Sequence, residues 1–215
     1  AALAAARGLP GVTARPHHPE GEVGTLALLR AGPVLRMVLV GFGAFWVFSA
    51  TFNYLPFRLS GPPFEASTGL ITLLYVTYLV GAVMGPLAGR LANRFGSGRT
   101  LLVGALLLLL ALAGLLLPSL VAVVIALMLV CAGFFTTHAA ASGALNRYLT
   151  GSRGRGNALY VLFYYIGGAA GITASGHAWR LGGWTALIGL NALVLLIPVG
   201  VGLAEIRTAR RASDR

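Results

Sequence analysis

Six stretches of this chain, 37–55, 68–89, 100–117, 120–143, 157–178 and 184–204, contain no Arg, Lys, Asp or Glu. Each meets or approaches the roughly 20 residues that an apolar helix needs to cross a bilayer core about 30 Å thick. One such charge at mid-membrane would cost about 2.5–3.5 kcal/mol, so six charge-free runs in succession mark lipid as the solvent. In lipid every backbone amide and carbonyl must be paired within the protein, which leaves helices or a closed barrel. The runs lack period-two alternation, and that excludes the barrel. Composition agrees: 10% of the 215 residues are charged and the mean hydropathy is +0.84, where a soluble domain carries about 25% charged residues. The predicted fold class is all-α integral membrane, a six-transmembrane-helix bundle.

The formal charge of +11 would suggest a nucleic-acid partner if it covered one face. It does not, because the 16 basic residues, all Arg, lie in short clusters between apolar runs. No nucleic acid is expected. Arg7, Arg15, Arg30 and Arg36 precede the first run; Arg90, Arg94 and Arg99 separate the second and third. Arg147, Arg153 and Arg155 separate the fourth and fifth, and Arg207, Arg210, Arg211 and Arg215 follow the sixth. With six crossings these fourteen fall on one side, and only Arg58 and Arg180 are left for the other. The positive-inside rule makes the Arg-rich side cytoplasmic. The expected location is the inner (plasma) membrane, multi-pass, with both termini in the cytoplasm.

Residues 1–33, with Pro10, Pro16, Pro19, Gly11, Gly21 and Gly24, read as a flexible cytoplasmic linker, 34–204 as the bundle and 205–215 as a cytoplasmic tail. Ala1 to Ala6 followed by Arg7 read as the end of a helix whose body is missing, so a fragment is expected. Pro118-Ser119 alone should join the third and fourth spans as a tight hairpin. Cys131 stands alone within an apolar run and is read as a small packing residue. No metal or cofactor site is expected.

Aromatic and polar side chains concentrate in the first, second, fourth and fifth runs, whereas the third and sixth are nearly all aliphatic. The order repeats every three helices, as two three-helix repeats of inverted topology would give. Phe45, Trp46, Asn53, Tyr75, Tyr78, Phe134, Tyr160 and Tyr164 are the candidates for a substrate cavity that carries no fixed charge. Such a surface suits a small apolar or amphipathic molecule. Trp179 and Trp184 read as interfacial anchors, and Asn191 as a helix–helix hydrogen bond. Gly167, Gly171 and Ser175, like Gly81, Gly85 and Gly89, recur every four residues, a spacing that lets backbones approach. Gly85 with Pro86 could also mark a bend. His138 is the one ionisable group well inside a span, with a structural hydrogen bond or a gating or proton-handling role open to it.

Between the second and third runs stand Gly85-Pro86-Leu87-Ala88-Gly89-Arg90-Leu91-Ala92-Asn93-Arg94-Phe95-Gly96-Ser97-Gly98-Arg99. This resembles the cytoplasmic signature G-x-L-A-D-R-x-G-R-[RK] of the major facilitator superfamily, in its second, looser copy. Asn93 replaces the usual Asp, and Ser97-Gly98 replace usual basic residues. Phe52-Asn53-Tyr54-Leu55-Pro56, Phe134-Phe135-Thr136-Thr137-His138 and Tyr160 to Tyr165 are similar to the drug:proton antiporter branch. The resemblance implies the C-terminal half of a twelve-helix fold, with its helices seven, eight, ten and eleven around the cavity. It implies a secondary active transporter working by alternating access, with proton-coupled export of small molecules and no enzymatic activity. Gly85, Pro86, Gly89, Arg90, Asn93, Arg94, Gly96 and Arg99 would form a cytoplasmic gating motif, its latch weakened by the lost charge at Asn93. The implied partners are the lipid bilayer, a small-molecule substrate, and either an N-terminal six-helix half or a second copy in a homodimer.

Two other readings compete. A truncated half would insert and carry nothing, because rocking one bundle against another requires two. An intramembrane serine protease would use Ser175 or Ser142, each flanked by small residues. By helix rise Ser175 lies roughly 20 Å from His138, too far for a nucleophile and its base. A channel is disfavoured, since neither N-P-A half-helices nor a T-V-G-Y-G filter is present.

Overall fold

The computed structural model of the chain describes residues 24–149 and 152–213. The expected linker up to residue 23 and the last two residues of the expected tail lie outside these. Within them every long apolar run is helical, and no strand occurs among the described residues. The first span is Gly32–Ser60, the second Thr68–Phe95, the third Ser97–Gly114 and the fourth Leu120–Tyr148. The fifth and sixth come from a helical stretch of 60 residues, Arg153–Ala212. At about 1.5 Å per residue that stretch is far too long for one straight crossing.

It reverses at Gly182-Gly183. Gly183 has φ 60 and ψ −149, a left-handed conformation that residues with a Cβ avoid, and Gly182 is also non-helical. Side-chain neighbours establish the turn. On the near side, Gly167 faces Phe42, Gly171 faces Trp46, and Tyr54 donates to the carbonyl of Ile172 at 3.2 Å. On the far side, Trp46 donates to Asn191 Oδ1 at 3.1 Å and Arg36 pairs with Glu205 at 2.7 Å. Residues 153–181 thus run parallel to the first span, and residues 184–213 run back along it.

The same reasoning orients the rest. Gly104 packs on Thr137 and Gly114 on Ala126, so the third and fourth spans are antiparallel. Gly98 meets Glu205 and Gly202 meets Leu102, which makes the third and sixth antiparallel too. The main packed pairs are first with fifth, fourth with second, third with fourth, first with fourth, first with sixth, and third with sixth. Exchanging first with fourth, second with fifth and third with sixth leaves that set unchanged. This exchange is the inverted three-helix repeat of the fold.

Apolar burial cannot by itself hold helices together in lipid, so close packing and hydrogen bonds carry the assembly. A Cβ on Gly167 would lie 2.3 Å from the Phe42 carbonyl oxygen, and one on Gly104 2.3 Å from Thr137 Oγ1. Gly85 and Gly89 behave differently: nothing lies within 4 Å of an added Cβ at either, so they do not pack here. Nor is Gly85-Pro86 where the second span changes geometry, because helix Leu79–Phe95 runs through Pro86. The irregularity is a 3₁₀ segment at Tyr75–Tyr78, where Thr77 Oγ1 donates to the carbonyl of Leu74 at 2.8 Å. A tightened turn within a helix is a recurrent hinge element.

Three further expectations change. Thr25–Arg30 is a short helix with Leu28 buried, inside what reads as flexible linker, and Gly32 then begins the first span with Pro33 in its first turn. The third span ends at Gly114, so residues 115–119 connect it to the fourth rather than Pro118-Ser119 alone. Trp184 is not an interfacial anchor. It is 7% exposed and donates to the carbonyl of Leu115 at 2.8 Å, closing the turn before the sixth span onto the end of the third. Asn191 is fully buried and ties the sixth span to Trp46. Its replacement by Leu should lower stability by about 0.6–1.7 kcal/mol, the range for hydrogen bonds between membrane helices. Unfolding in mixed detergent micelles would measure it.

Candidate functional site

The first, second, fourth and fifth spans bring their aromatic residues into one continuous cluster. Phe45 stacks on Tyr164 with centroids 3.8 Å apart and planes 10° from parallel. Phe48 stacks on Phe134 at 4.1 Å, and Phe52 meets Tyr78 at 4.5 Å. Tyr75 continues the row, its hydroxyl donating to the carbonyl of Phe52 at 3.0 Å. Offset and tilted ring pairs at these separations each add about 0.5–1.5 kcal/mol beyond burial. Helical spacing explains the arrangement: Phe45, Phe48 and Phe52 recur at three and four residues and so share one face.

Six of the eight sequence candidates, Phe45, Tyr75, Tyr78, Phe134, Tyr160 and Tyr164, belong to this cluster. Trp46 turns away, toward Asn191 on the sixth span. Asn53 is exposed, and its amide donates to the carbonyl of Ser49 on its own helix. Phe48, Phe52 and Phe135 join the cluster although the sequence did not single them out as binding candidates; the three- and four-residue spacing was the available signal. Tyr165, 62% exposed, stands edge-on to Phe45 and Tyr164 at the open side.

His138 sits at the end of the cluster nearest the arginines. Its Nδ1 is 3.0 Å from the Tyr160 hydroxyl, and its ring lies 5.2 Å from that of Tyr164. Among the described residues no serine hydroxyl bonds to it, and Ser175 Oγ is buried with no partner. No group of three metal-ligating side chains occurs among the described residues.

At the arginine-rich end a single residue, Gly96, joins the second and third spans. Its φ of 89° explains why the motif has glycine there, since a Cβ would strain this conformation. Arg90, Asn93, Arg94 and Arg99 are exposed, and the Arg94 guanidinium lies over the Phe95 ring at 5.1 Å. The buried charge at this end is one the sequence reading missed. Glu205, 7% exposed, accepts from Arg36 Nε at 2.7 Å and from the Tyr148 hydroxyl. Three spans, the first, fourth and sixth, are tied there by one carboxylate. Glu205 is the first residue beyond the sixth charge-free run, and Arg36 the last before the first. That matched position was the legible signal.

A sequence model of the Major Facilitator Superfamily matches residues 1–171 and, in a second alignment, residues 65–210. The chain belongs to the major facilitator superfamily. Its major facilitator relatives include an uncharacterized MFS-type transporter, YybF, of Bacillus subtilis strain 168, 25% identical over 87% of this chain and 46% of the relative. The uncharacterized transporter YgaY of Escherichia coli O157:H7 is 31% identical over 91% of this chain and 51% of the relative. The inner membrane transport protein YnfM of Escherichia coli K12 is 32% identical over 75% and 39%. The chain spans about half the length of the curated relatives it matches. No solved structure gives a significant match. Membership of this superfamily and the apolar helices together make the chain a membrane protein of a transporter family.

Proposed function

We propose that this six-helix unit forms one half of a secondary active transporter that exports small apolar or amphipathic compounds in exchange for protons. The observation that carries the reading is the uncharged aromatic wall of Phe45, Tyr78, Phe134 and Tyr164, set on four spans of a transporter-family bundle. Flat, polarisable rings with scattered hydroxyls accept apolar guests of varied shape and offer no ion pair to a charged one. The second wall would come from an N-terminal six-helix half, or from a second copy of this chain. The Arg-rich end is assigned to the cytoplasm of the inner membrane, and with it both termini.

Alternating access needs a gate at that end. The Gly85-to-Arg99 motif, with its exposed Arg94, is proposed to latch onto the opposite half, and the 3₁₀ segment at Tyr75–Tyr78 to let the second span flex. The Tyr160–His138 pair connects the cavity wall to the same end. Carboxylates are missing from the six runs, so the proton-carrying acid is assigned to the second bundle.

Efflux of a fluorescent dye from cells carrying the full-length gene, with and without an uncoupler, tests the reading. Phe45→Ala or Tyr164→Ala should weaken apparent dye affinity about three- to tenfold, the value of one stacked pair. Arg94→Ala should slow efflux while leaving membrane insertion intact. Dye retention identical with and without the gene would remove the export reading, and uncoupler-insensitive efflux would remove the proton. The span of only half the relatives' length favours a second reading, a unit that inserts and carries nothing by itself. Expressing residues 1–215 alone separates the two: dye efflux from those cells would discard it.

A further inference from the structure

Outside the aromatic wall, two hollows meet on the arginine-rich flank of the bundle. The larger, of about 710 Å³, opens between the start of the third span and the ends of the fourth and sixth. Arg99, Arg147 and Arg210 line it, one from each of those spans. Glu205 on its wall pairs with Arg36 and Tyr148, and among the described residues Arg99, Arg147 and Arg210 form no ion pair. Arg147 also donates to Ser97 Oγ at the first turn of the third span, where free backbone amides favour an anion.

The second hollow, of about 330 Å³, is lined by Leu91, Phe95, Arg99, Thr100 and Val103. It is almost wholly apolar and runs down the outer face of the second and third spans, where Phe95 is 47% and Val103 51% exposed. Arg99 and Phe95 line both hollows, so the basic cleft and the groove lie side by side at these two residues. The cleft lies where the charge-free runs end, at headgroup depth; the groove lies alongside the acyl chains.

We infer that the two hollows form one site for an anionic phospholipid, its phosphate held by Arg99, Arg147 and Arg210 and an acyl chain lying beside Phe95 and Val103. A basic pocket between helices at the membrane surface is the setting in which acidic headgroups are held. The apolar groove distinguishes a lipid from a free phosphate, which would use the cleft alone. None of the aromatic-wall residues lines either hollow, but Arg99 belongs both to this site and to the proposed gating motif.

Native mass spectrometry of the purified full chain tests this with dioleoyl phosphatidylglycerol, dioleoyl phosphatidylcholine and glycerol phosphate as probes. Phosphatidylglycerol should remain bound where phosphatidylcholine is lost. Arg210→Gln, at an exposed position, should weaken phosphatidylglycerol retention roughly fivefold, and Arg147→Gln with Arg210→Gln should erase most of the preference. Val103→Trp, which fills the groove, should also reduce retention. Circular dichroism and elution volume establish that each variant is folded, and the single Arg210 variant decides the matter if the double one is not. Equal retention of the two lipids, an unchanged preference in a folded Arg210→Gln protein, or displacement of the lipid by glycerol phosphate would each overturn the assignment.

Discussion

Gly171→Leu should prevent the fifth span from docking on the first, and the bundle should lose its cooperative unfolding in mild detergent. At that position an added Cβ would lie 2.6 Å from the Trp46 carbonyl oxygen and 2.8 Å from its Cα. Both obstacles are backbone, so no side chain can rotate aside. The helices would have to separate along the contact that also carries the hydrogen bonds from Ser49 to Gly168 and from Tyr54 to Ile172. Overpacking of this kind costs about 3 kcal/mol or more, a large share of the stability of a typical domain. Gly85→Ala and Gly89→Ala are the matched comparison, because the space around both is open. They should be neutral or raise helix stability, by up to about 1 kcal/mol. Unfolding in a series of mixed micelles would measure all three. Similar losses for Gly171→Leu and Gly89→Ala would show that the fifth span does not sit on the first.

Glu205→Ala should be the most damaging single change at the arginine-rich end. It removes the acceptor shared by Arg36 and Tyr148 and leaves both donors facing a protein interior. Breaking a buried pair from one side costs about 3–5 kcal/mol, and the 31% exposure of Arg36 reduces that to roughly 2 kcal/mol. Replacing both partners, Arg36→Met with Glu205→Met, should restore much of the loss, since no orphaned charge then remains. A double-mutant cycle of unfolding free energies reads the coupling directly. Additive losses from the two single changes would mean that the ion pair contributes nothing of its own.

The architecture was legible in the sequence because lipid imposes one simple demand, an uncharged helix of fixed length, and six runs meet it. The three-helix alternation of aromatic and aliphatic runs likewise pointed to the inverted repeat that the packed pairs display. Contacts between distant residues were less accessible. Trp46 shares a span with Phe45, yet it faces Asn191 145 residues later, and composition cannot say which way a ring turns. Gly81 and Gly85 look alike in the four-residue pattern, but one lies against the Phe135 ring and the other against open space. Spacing marks a helix face without naming its neighbour. Glu205 escaped notice for another reason: a search for charge-free windows stops one residue before it, and its partner lies 169 residues away.

Single cysteines offered to a membrane-impermeant maleimide test the six alternating crossings most directly. The one native thiol, Cys131, is buried and would first be replaced by Ala. Ser119→Cys, before the fourth span, and Gly182→Cys, at the reversal, should both react in intact cells. Arg210→Cys should react only after the cells are permeabilised. Reaction of Arg210→Cys in intact cells would mean that the chain does not turn back at Gly183, and the inverted bundle would be wrong.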